Sequence, residues 1–203
     1  MTLLTKMIFT IVTIGKKGIV KMNYYIADTH FGHYNIIRLC NRPFQTVEEM
    51  NETLINNWNK TVSNEDTVYI VGDFAFLDVD KSLEILYRLN GKKILIEGNH
   101  DIKNLKNPKF RNAFDEVHQL ITIVDNNTMV SLCHYPIVEW NGYFRNSYHI
   151  FGHIHNTTKN KSYEIVRNEP RALNCGADVT DFRPMTLKEL IKANNVYKRR
   201  SPK

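Results

Sequence analysis

The sequence has few cysteines and no long apolar run. Cys40, Cys133 and Cys175 are widely spaced among 203 residues and form no CxxC pair. This excludes a disulfide framework and favours a reducing compartment, so we expect a cytoplasmic protein. No stretch reaches the ~20 apolar residues that a transmembrane helix needs, so we expect no membrane partner. Repeats, low-complexity tracts and linkers are also lacking. The hydrophobic fraction of 42% is ordinary for a globular chain.

The two ends of the chain differ from its middle. Residues 7–14 form an apolar run that no small-residue cleavage site follows, so a signal peptide is not indicated. We interpret residues 1–21 as an N-terminal extension, either an edge strand or sequence upstream of a natural start at Met22, and favour the second. Residues 22–197 are predicted to form one domain, and residues 198–203 a basic tail.

The net charge of +6 arises from basic residues at these two ends. Eight of the 27 basic residues lie in them, which leaves 19 basic against 21 acidic residues between positions 22 and 197. A basic tail can hold a polyanion through counterion release, although such tails are more often solvated. The slightly acidic middle predicts no broad basic groove, so a nucleic-acid partner is an alternative that we do not favour.

Strand and helix signals alternate along the chain. Helices are expected after the capping residues Thr46 and Thr186, and around the leucines at positions 83, 86 and 89. The tripeptide Asp125-Asn126-Asn127 predicts the tight turn of a β-hairpin. This pattern predicts an α/β layered fold with mixed sheets. Short apolar runs predict strands at 24–27, 67–71, 93–97, 121–124, 129–133 and 149–151.

Polar groups follow five of these strands. In layered α/β folds, ligands bind outside the carboxyl ends of strands, so the five sets are expected to converge. Carboxylate, amide and imidazole groups suit Mn²⁺, Fe²⁺ or Zn²⁺, and thiolates are missing from the motifs. Seven groups exceed what one ion needs, which indicates two divalent ions bridged by Asp73. The candidate metal ligands are Asp28, His30, Asp73, Asn99, His134, His153 and His155.

A two-metal site is suited to phosphoryl chemistry, in which the cations clamp phosphate oxygens and a bound water becomes the nucleophile. The leaving oxygen then needs a proton. His100 is the one motif histidine not needed as a ligand, so we predict that it is the general acid. Asp101 is a candidate for orienting it.

The ordered set Asp-x-His, Gly-Asp, Gly-Asn-His-Asp, His and Gly-His-x-His resembles the calcineurin-like metallophosphoesterases. The resemblance runs from about Asn23 to the C-terminal helix. It implies a four-layer αββα sandwich of two mixed sheets flanked by helices. It also implies that Asp28, His30, Asp73 and His155 hold the first ion and that Asp73, Asn99, His134 and His153 hold the second. His100 would be the catalytic histidine.

Two details qualify this resemblance. The segment after Asp73 lacks an acidic residue that many relatives carry, although that residue is not a ligand. The string from Asp28 to Asn35 and the Arg42-Pro43-Phe44 that follows resemble a compact bacterial and phage branch of the family. The physiological substrates of that branch are mostly unassigned.

Some residues outside the ligand set are candidates for contact with substrate. They are His33, Arg42, Asn141 and Arg145, the last two in a loop with Trp140 that is expected to overhang the site. We expect Phe74 and Phe76 to be core residues, and His149 to be structural.

The expected function is hydrolysis of phosphomonoester or phosphodiester bonds by a metal-bound hydroxide. The expected partner is a phosphorylated small molecule or a nucleotide. Mn²⁺ is the first choice of metal, with Fe²⁺, Zn²⁺ and Ni²⁺ as alternatives. A nuclease or RNA-end phosphoesterase is the second hypothesis, and a catalytically silent scaffold the third.

Overall fold

The computed structural model describes residues 21–200, which form two β-sheets flanked by helices. The first sheet has four parallel strands in sequence order, each with hydrogen bonds to the next. An antiparallel bridge between Tyr25 and Met185 extends it beyond β1. The strands are β1 (Asn23–Ile26), β2 (Thr67–Ile70), β3 (Lys92–Ile96) and β4 (Glu116–His118).

The second sheet also has four strands in sequence order, but its pairing is mixed. A hairpin joins its first two strands, and Asn126 and Asn127 form the turn with positive φ angles of 47° and 66°. The remaining pairs are parallel. The strands are β5 (Leu120–Asp125), β6 (Thr128–Cys133), β7 (Tyr148–Phe151) and β8 (Ala172–Asn174).

Residues 21–200 contain seven α-helices, of which α7 follows the last strand. The Thr46 hydroxyl accepts a hydrogen bond from the Glu49 backbone N–H at the start of α2, and Thr186 with Glu189 forms a complete capping box at the start of α7. The helices are α1 (Tyr34–Leu39), α2 (Val47–Thr61), α3 (Val79–Tyr87), α4 (Ile102–Leu105), α5 (Pro108–Arg111), α6 (Lys161–Val166) and α7 (Leu187–Tyr197).

Alternation along the strands builds three apolar layers. In β1, Ile26 faces the helices α1–α5, whereas Tyr25 faces the second sheet. Val130 and Ile150 of the second sheet complete the layer between the sheets. A third cluster packs the outer face of the second sheet against α6 and the end of α7. The order is therefore helices, sheet, sheet, helices, which confirms the expected four-layer αββα sandwich.

The predicted strands all form, within one or two residues of the expected bounds. The three-residue strands β4 and β8 are missed by the sequence pattern. Residues 1–20 lie outside the described part of the chain, so the interpretation of the N-terminal extension stays a prediction, as do the domain bounds. Across residues 21–200, no helix has the length and apolarity to cross a membrane.

Candidate metal centre

The carboxyl ends of six strands meet at one edge of the sandwich. Parallel pairing in the first sheet places the ends of β1, β2 and β3 side by side, and the parallel pairs of the second sheet do the same for β6, β7 and β8. The structure brings all seven candidate ligands to this edge, although their assignment as ligands stays a prediction. From the first sheet come Asp28, His30, Asp73 and Asn99, and from the second His134, His153 and His155.

Asp73 lies between the two halves of this set. Its Oδ2 is 3.6 Å from Nε2 of His30 and 3.4 Å from Nε2 of His134. Its Oδ1 accepts a hydrogen bond of 2.8 Å from the backbone N–H of His100. One carboxylate oxygen therefore faces imidazoles of both groups while the other is fixed by the backbone, which is the placement that a bridging ligand requires.

The first group consists of Asp28, His30 and His155, whose nearest ligand atoms all lie within 4.8 Å of one another. Within residues 21–200, Asp28 Oδ2 and both ring nitrogens of His30 are buried without a hydrogen-bond partner. A buried polar atom without a partner is costly, so a lone pair there needs a ligand. Carboxylate and neutral imidazole together fit a divalent transition ion. The residues present therefore fit a metal.

The second group consists of Asn99, His134 and His153. Asn99 Oδ1 lies 3.2 Å from Nε2 of His134 and 3.0 Å from Nδ1 of His153. Nδ1 of His134 donates to the carbonyl oxygen of Val71 at 2.8 Å. This contact leaves Nε2 of His134 directed toward the site. Asp28, Asp73 and His134 also place ligand atoms within 4.8 Å of one another. The two groups are thus contiguous.

The backbone is strained at most of these residues. Five of the seven have a positive φ, a backbone conformation that residues other than glycine seldom adopt. Such conformations cost about 1–3 kcal/mol each and cluster at functional sites. The five are Asp28 (53°), His30 (50°), Asp73 (55°), His153 (67°) and His155 (50°).

Two glycines allow the strand ends to approach each other. A Cβ on Gly72 would lie 2.2 Å from Nδ1 of His134, and Gly72 itself has φ of 87°. A Cβ on Gly98 would lie 2.4 Å from Oδ1 of Asp73 and 2.5 Å from its backbone nitrogen. Both positions therefore require glycine, because any side chain would push the Asp73 loop away from its neighbours.

The charges of the ligands are coupled. Burial raises the pKa of Asp73, but its hydrogen bond to His134 and the nearby imidazole charge outweigh this and lower the pKa to about 2. Burial opposes the charge on His134 as well, yet Asp73 and Asp28 raise its pKa to about 9. For Asp28, burial dominates and raises the pKa.

Asp178 is a functional candidate that the sequence reasoning missed. Its Oδ2 lies 3.1 Å from Nδ1 of His155, while Arg42 donates to Oδ1 from Nε at 2.8 Å and to Oδ2 from Nη2 at 3.2 Å. A carboxylate on the second nitrogen of a metal-binding histidine fixes its tautomer and ring orientation. Asp178 follows β8, and recognition of that strand would have drawn attention to it.

Arg42 therefore has a different role from the predicted one. The sequence suggests a contact with phosphate, whereas the structure leaves Arg42 only 5% exposed. Besides Asp178, it donates from Nη2 to the carbonyl of Asp28 at 2.7 Å and from Nη1 to that of Thr29 at 2.9 Å. Its donors are occupied by the protein, so Arg42 supports the ligand loop instead of reaching substrate.

Asp178→Asn tests this supporting role. We expect the affinity for Mn²⁺ to fall about 10–100-fold, because His155 loses the carboxylate that orients it. Equilibrium dialysis with elemental analysis measures the affinity, and thermal unfolding checks that the variant is folded. Asp66→Asn is a matched control, since Asp66 is also buried but binds backbone N–H groups at the opposite end of β2. Unchanged Mn²⁺ affinity in folded Asp178→Asn would contradict the role.

Asp101 does not orient His100 as the sequence suggests. Its carboxylate is 2% exposed and accepts from the backbone N–H groups of Asp73 (2.8 Å), Phe74 (3.0 Å) and Gly98 (2.9 Å). Burial raises the pKa of Asp101 to about 6 in spite of these bonds. Its side chain is directed toward the Asp73 loop because the chain turns into α4 at this point. Asp101 thus holds two strand-end loops together.

His100 and His33 lie beside the ligands. The exposed ring of His100 has its centroid 5.3 Å from that of His30, in an edge-to-face arrangement. The ring of His33 is also 5.3 Å from His30, and its buried Nδ1 has no hydrogen-bond partner within the described chain. Both imidazoles are close enough to the candidate metal centre to face a substrate held there.

The loop of Asn141 and Arg145 is not brought to the ligands. Both residues are exposed and line a separate cavity of about 400 Å³, none of whose lining residues is a candidate ligand. Trp140 is buried and donates from Nε1 to the Ser147 hydroxyl at 2.9 Å. Since the loop folds back on the strand residue Ser131, the structure does not support the predicted substrate contacts of Asn141 and Arg145.

Two known proteins are similar to this chain in sequence. The Uncharacterized protein MJ1445 of Methanocaldococcus jannaschii is 36% identical over 175 residues, which cover 83% of this chain and 89% of that protein. The Gene 66 protein of Mycobacterium phage L5 is 33% identical over 81 residues, 38% of this chain and 39% of that protein. No protein-family model matches the chain.

Three solved structures also match the chain. The Protein of Unknown Function AQ665 from Aquifex aeolicus matches with a TM-score of 0.64 and 30% identity, over 85% of this chain and 99% of that one. The nuclease MPE of Pseudomonas putida matches with a TM-score of 0.40 and 19% identity, over 66% and 60% of the two chains. YfcE, a phosphoesterase from E. coli, matches with a TM-score of 0.37 and 12% identity, over 76% and 77%.

The last two likenesses are too remote to bear on the reaction or substrate of this chain. The archaeal relative is similar over most of both chains, and AQ665 shares the fold. The chain therefore belongs to the family of the Methanocaldococcus jannaschii protein MJ1445.

Proposed function

We propose that this protein is a phosphoesterase that depends on two divalent metal ions. The substrate would be a small phosphorylated or nucleotide-like molecule, as a monoester or a diester. One observation carries the proposal: Oδ2 of Asp73 lies 3.6 Å from His30 and 3.4 Å from His134, between two groups of carboxylate, amide and imidazole ligands. Two adjacent divalent sites that share a carboxylate are an arrangement suited to phosphoryl transfer.

The metal-binding residues divide into the two groups already described. Asp28, His30 and His155 would hold one cation, and Asn99, His134 and His153 the other, with Asp73 shared. When bound, such a pair of cations supplies Lewis acidity toward phosphate oxygens and activates water near neutral pH. Mn²⁺ is our first choice because the donor set mixes oxygen and imidazole nitrogen.

The protein's own contribution is positioning and proton transfer. His100 is exposed at the rim of the site, and its backbone N–H is fixed on Oδ1 of Asp73 at 2.8 Å. The ring of His100 lies 5.3 Å from that of His30, from where the imidazole would give a proton to the leaving oxygen. His33 is on the same side and would contact the phosphate.

A silent scaffold is disfavoured by the energetics of the site. Within the described residues, the edge retains buried ligand atoms without partners and five ligands with strained backbone. Neither feature stabilises the fold, and strain of this kind persists where function requires it. A protein that kept the fold but held no metal would have no need for either feature.

A substrate panel tests the proposal. Protein stripped with a chelator and reloaded with Mn²⁺ should hydrolyse at least one compound among phosphomonoesters, cyclic nucleotides, dinucleotides and short RNAs, and the stripped protein should be inactive. Substitution of Fe²⁺, Zn²⁺ or Ni²⁺ would identify the preferred metal. Activity confined to oligonucleotides, with a steep dependence on salt, would favour the nuclease alternative. Activity that persists without any metal would contradict the proposal.

A further inference from the structure

A cavity opens beside His100, and none of its lining residues belongs to the second sheet. Its volume is about 390 Å³, within the range of about 300–1,000 Å³ that small-molecule sites occupy. Its walls come from the loop that follows Asp73 and from α4, both in the first half of the chain. The lining residues are Ala75, Phe76, Leu77, Asp78, His100, Lys103 and Asn104.

Phe76 presents an aromatic face at this cavity. The sequence suggests a core residue, and for Phe74 that is correct, since Phe74 is 0% exposed. Phe76, however, is 52% exposed. One face of its ring is stacked on His33, with centroids 4.2 Å apart and an angle of 19° between the planes. The ring is thus held in place by one face and leaves apolar surface available to a ligand.

Two other polar side chains of the cavity, Asn104 and Asp78, already form hydrogen bonds within the protein. Asn104 donates from Nδ2 to the carbonyl of Leu77 at 2.9 Å, and Asp78 caps α3. Lys103 is exposed and has no ion-pair partner among residues 21–200. The cavity therefore offers an aromatic surface and apolar walls, with the ammonium group of Lys103 and the carboxylate of Asp78 among its lining, which suits a flat, partly apolar group with polar edges.

The position of the cavity specifies which part of a substrate it receives. Phe76 also contacts His100, with ring centroids 5.5 Å apart in an edge-to-face arrangement. A general acid has to reach the oxygen of the leaving group, so the leaving group lies on the side of His100. The leaving group of a substrate held on the metals would therefore extend into the cavity that Phe76 and His100 share.

We propose that this cavity is a subsite for a nucleoside leaving group, whose base stacks on Phe76. The proposal rests on the phosphoesterase function proposed above and narrows its substrate to nucleotides. In the reaction, a water molecule gives its hydroxyl to phosphorus and its remaining proton to solvent. The bond between phosphorus and the nucleoside oxygen breaks, and His100 gives a proton to that oxygen and regains one from solvent. Stacking on aromatic side chains tolerates different bases, because each base has a flat π face.

The test compares two ligands that differ only by a base. They are the phosphonate analogues of adenosine 5′-monophosphate and of ribose 5-phosphate, in which a CH₂ group replaces the ester oxygen and prevents hydrolysis. Calorimetric titration of the Mn²⁺-loaded protein should show that the adenosine analogue binds about tenfold more tightly, the scale of one stacked base. Phe76→Leu should bring the two affinities within about twofold, whereas Phe76→Trp should preserve the difference.

Phe144→Leu is the control, because Phe144 is 86% exposed and lines the separate cavity near Trp140. It should leave both affinities unchanged. Equal affinities in the unaltered protein, or an equal loss for both ligands in Phe76→Leu, would overturn the nucleoside subsite. If neither affinity depends on Mn²⁺, the phosphate does not bind the metals, and that result would count against the proposed function instead.

Discussion

Replacement of Asp73 with asparagine is expected to remove metal and activity together. Oδ2 of Asp73 is the atom that faces both His30 and His134, so its charge would serve both cations. An amide at this position removes that charge, and its NH₂ group, if turned inward, would point donors at the metal sites. We expect less than one bound ion per chain and a loss of hydrolysis on the order of 10³-fold or more.

The substitution should leave the fold intact. Oδ1 of Asp73 accepts from the backbone N–H of His100, and an asparagine oxygen can accept the same bond. Elemental analysis of protein dialysed against limiting Mn²⁺ measures the occupancy, and circular dichroism checks the fold. Asp80→Asn is the control, because Asp80 is exposed and pairs with Lys109 on the surface. Full occupancy of two sites in Asp73→Asn would refute the bridging role.

Replacement of His100 with asparagine is expected to have the opposite signature, with metal retained and turnover lost. The ligand loops need only the backbone N–H of His100, which any residue except proline supplies. The exposed imidazole is the part that would deliver a proton, and general acids of this kind contribute about 10²–10⁴-fold. We expect that loss in kcat with the Mn²⁺ content unchanged.

A second histidine provides the comparison for this variant. His118 is only partly exposed and pairs with Glu116 at 2.9 Å, and it lines none of the site described above. His118→Asn should keep full activity. The loss in His100→Asn should also be smaller for a substrate whose leaving group is a good one, such as 4-nitrophenol, because that oxygen needs no proton. A variant that turns over all substrates at the original rate would show that His100 is not the acid.

The meeting of the seven candidate ligands at one edge could be predicted from the sequence for a simple geometric reason. Apolar strands are visible as short hydrophobic runs, and parallel neighbours in a sheet must end at the same edge. A polar residue directly after such a run, as with Asp28 or His134, is therefore placed without knowledge of the loops. The order of strand and helix signals predicts a layered α/β fold, whereas the four layers are implied only by the resemblance to the metallophosphoesterases; in the structure, alternation along β1 to β3 assigns one face of the first sheet to each apolar layer.

The supporting residues were not accessible in this way. β8 has three residues, too few to produce a recognisable pattern, so the sequence does not point to Asp178, which follows this strand. Adjacency in sequence suggests that Asp101 orients His100, but adjacency does not fix the direction of a side chain. The residue type of Phe76 suggests a core position, whereas its 52% exposure depends on how the loop after Asp73 turns.

The candidate ligands come from both sheets, so metal binding would affect the stability of the whole molecule. Asp28, Asp73 and Asn99 extend from one sheet, while His134, His153 and His155 extend from the other. Bound cations would thus cross-link the two sheets at one margin of the sandwich. Because ligands that bind only the native state stabilise it in proportion to the logarithm of their concentration, the supply of metal would govern how long the folded protein survives as well as its turnover.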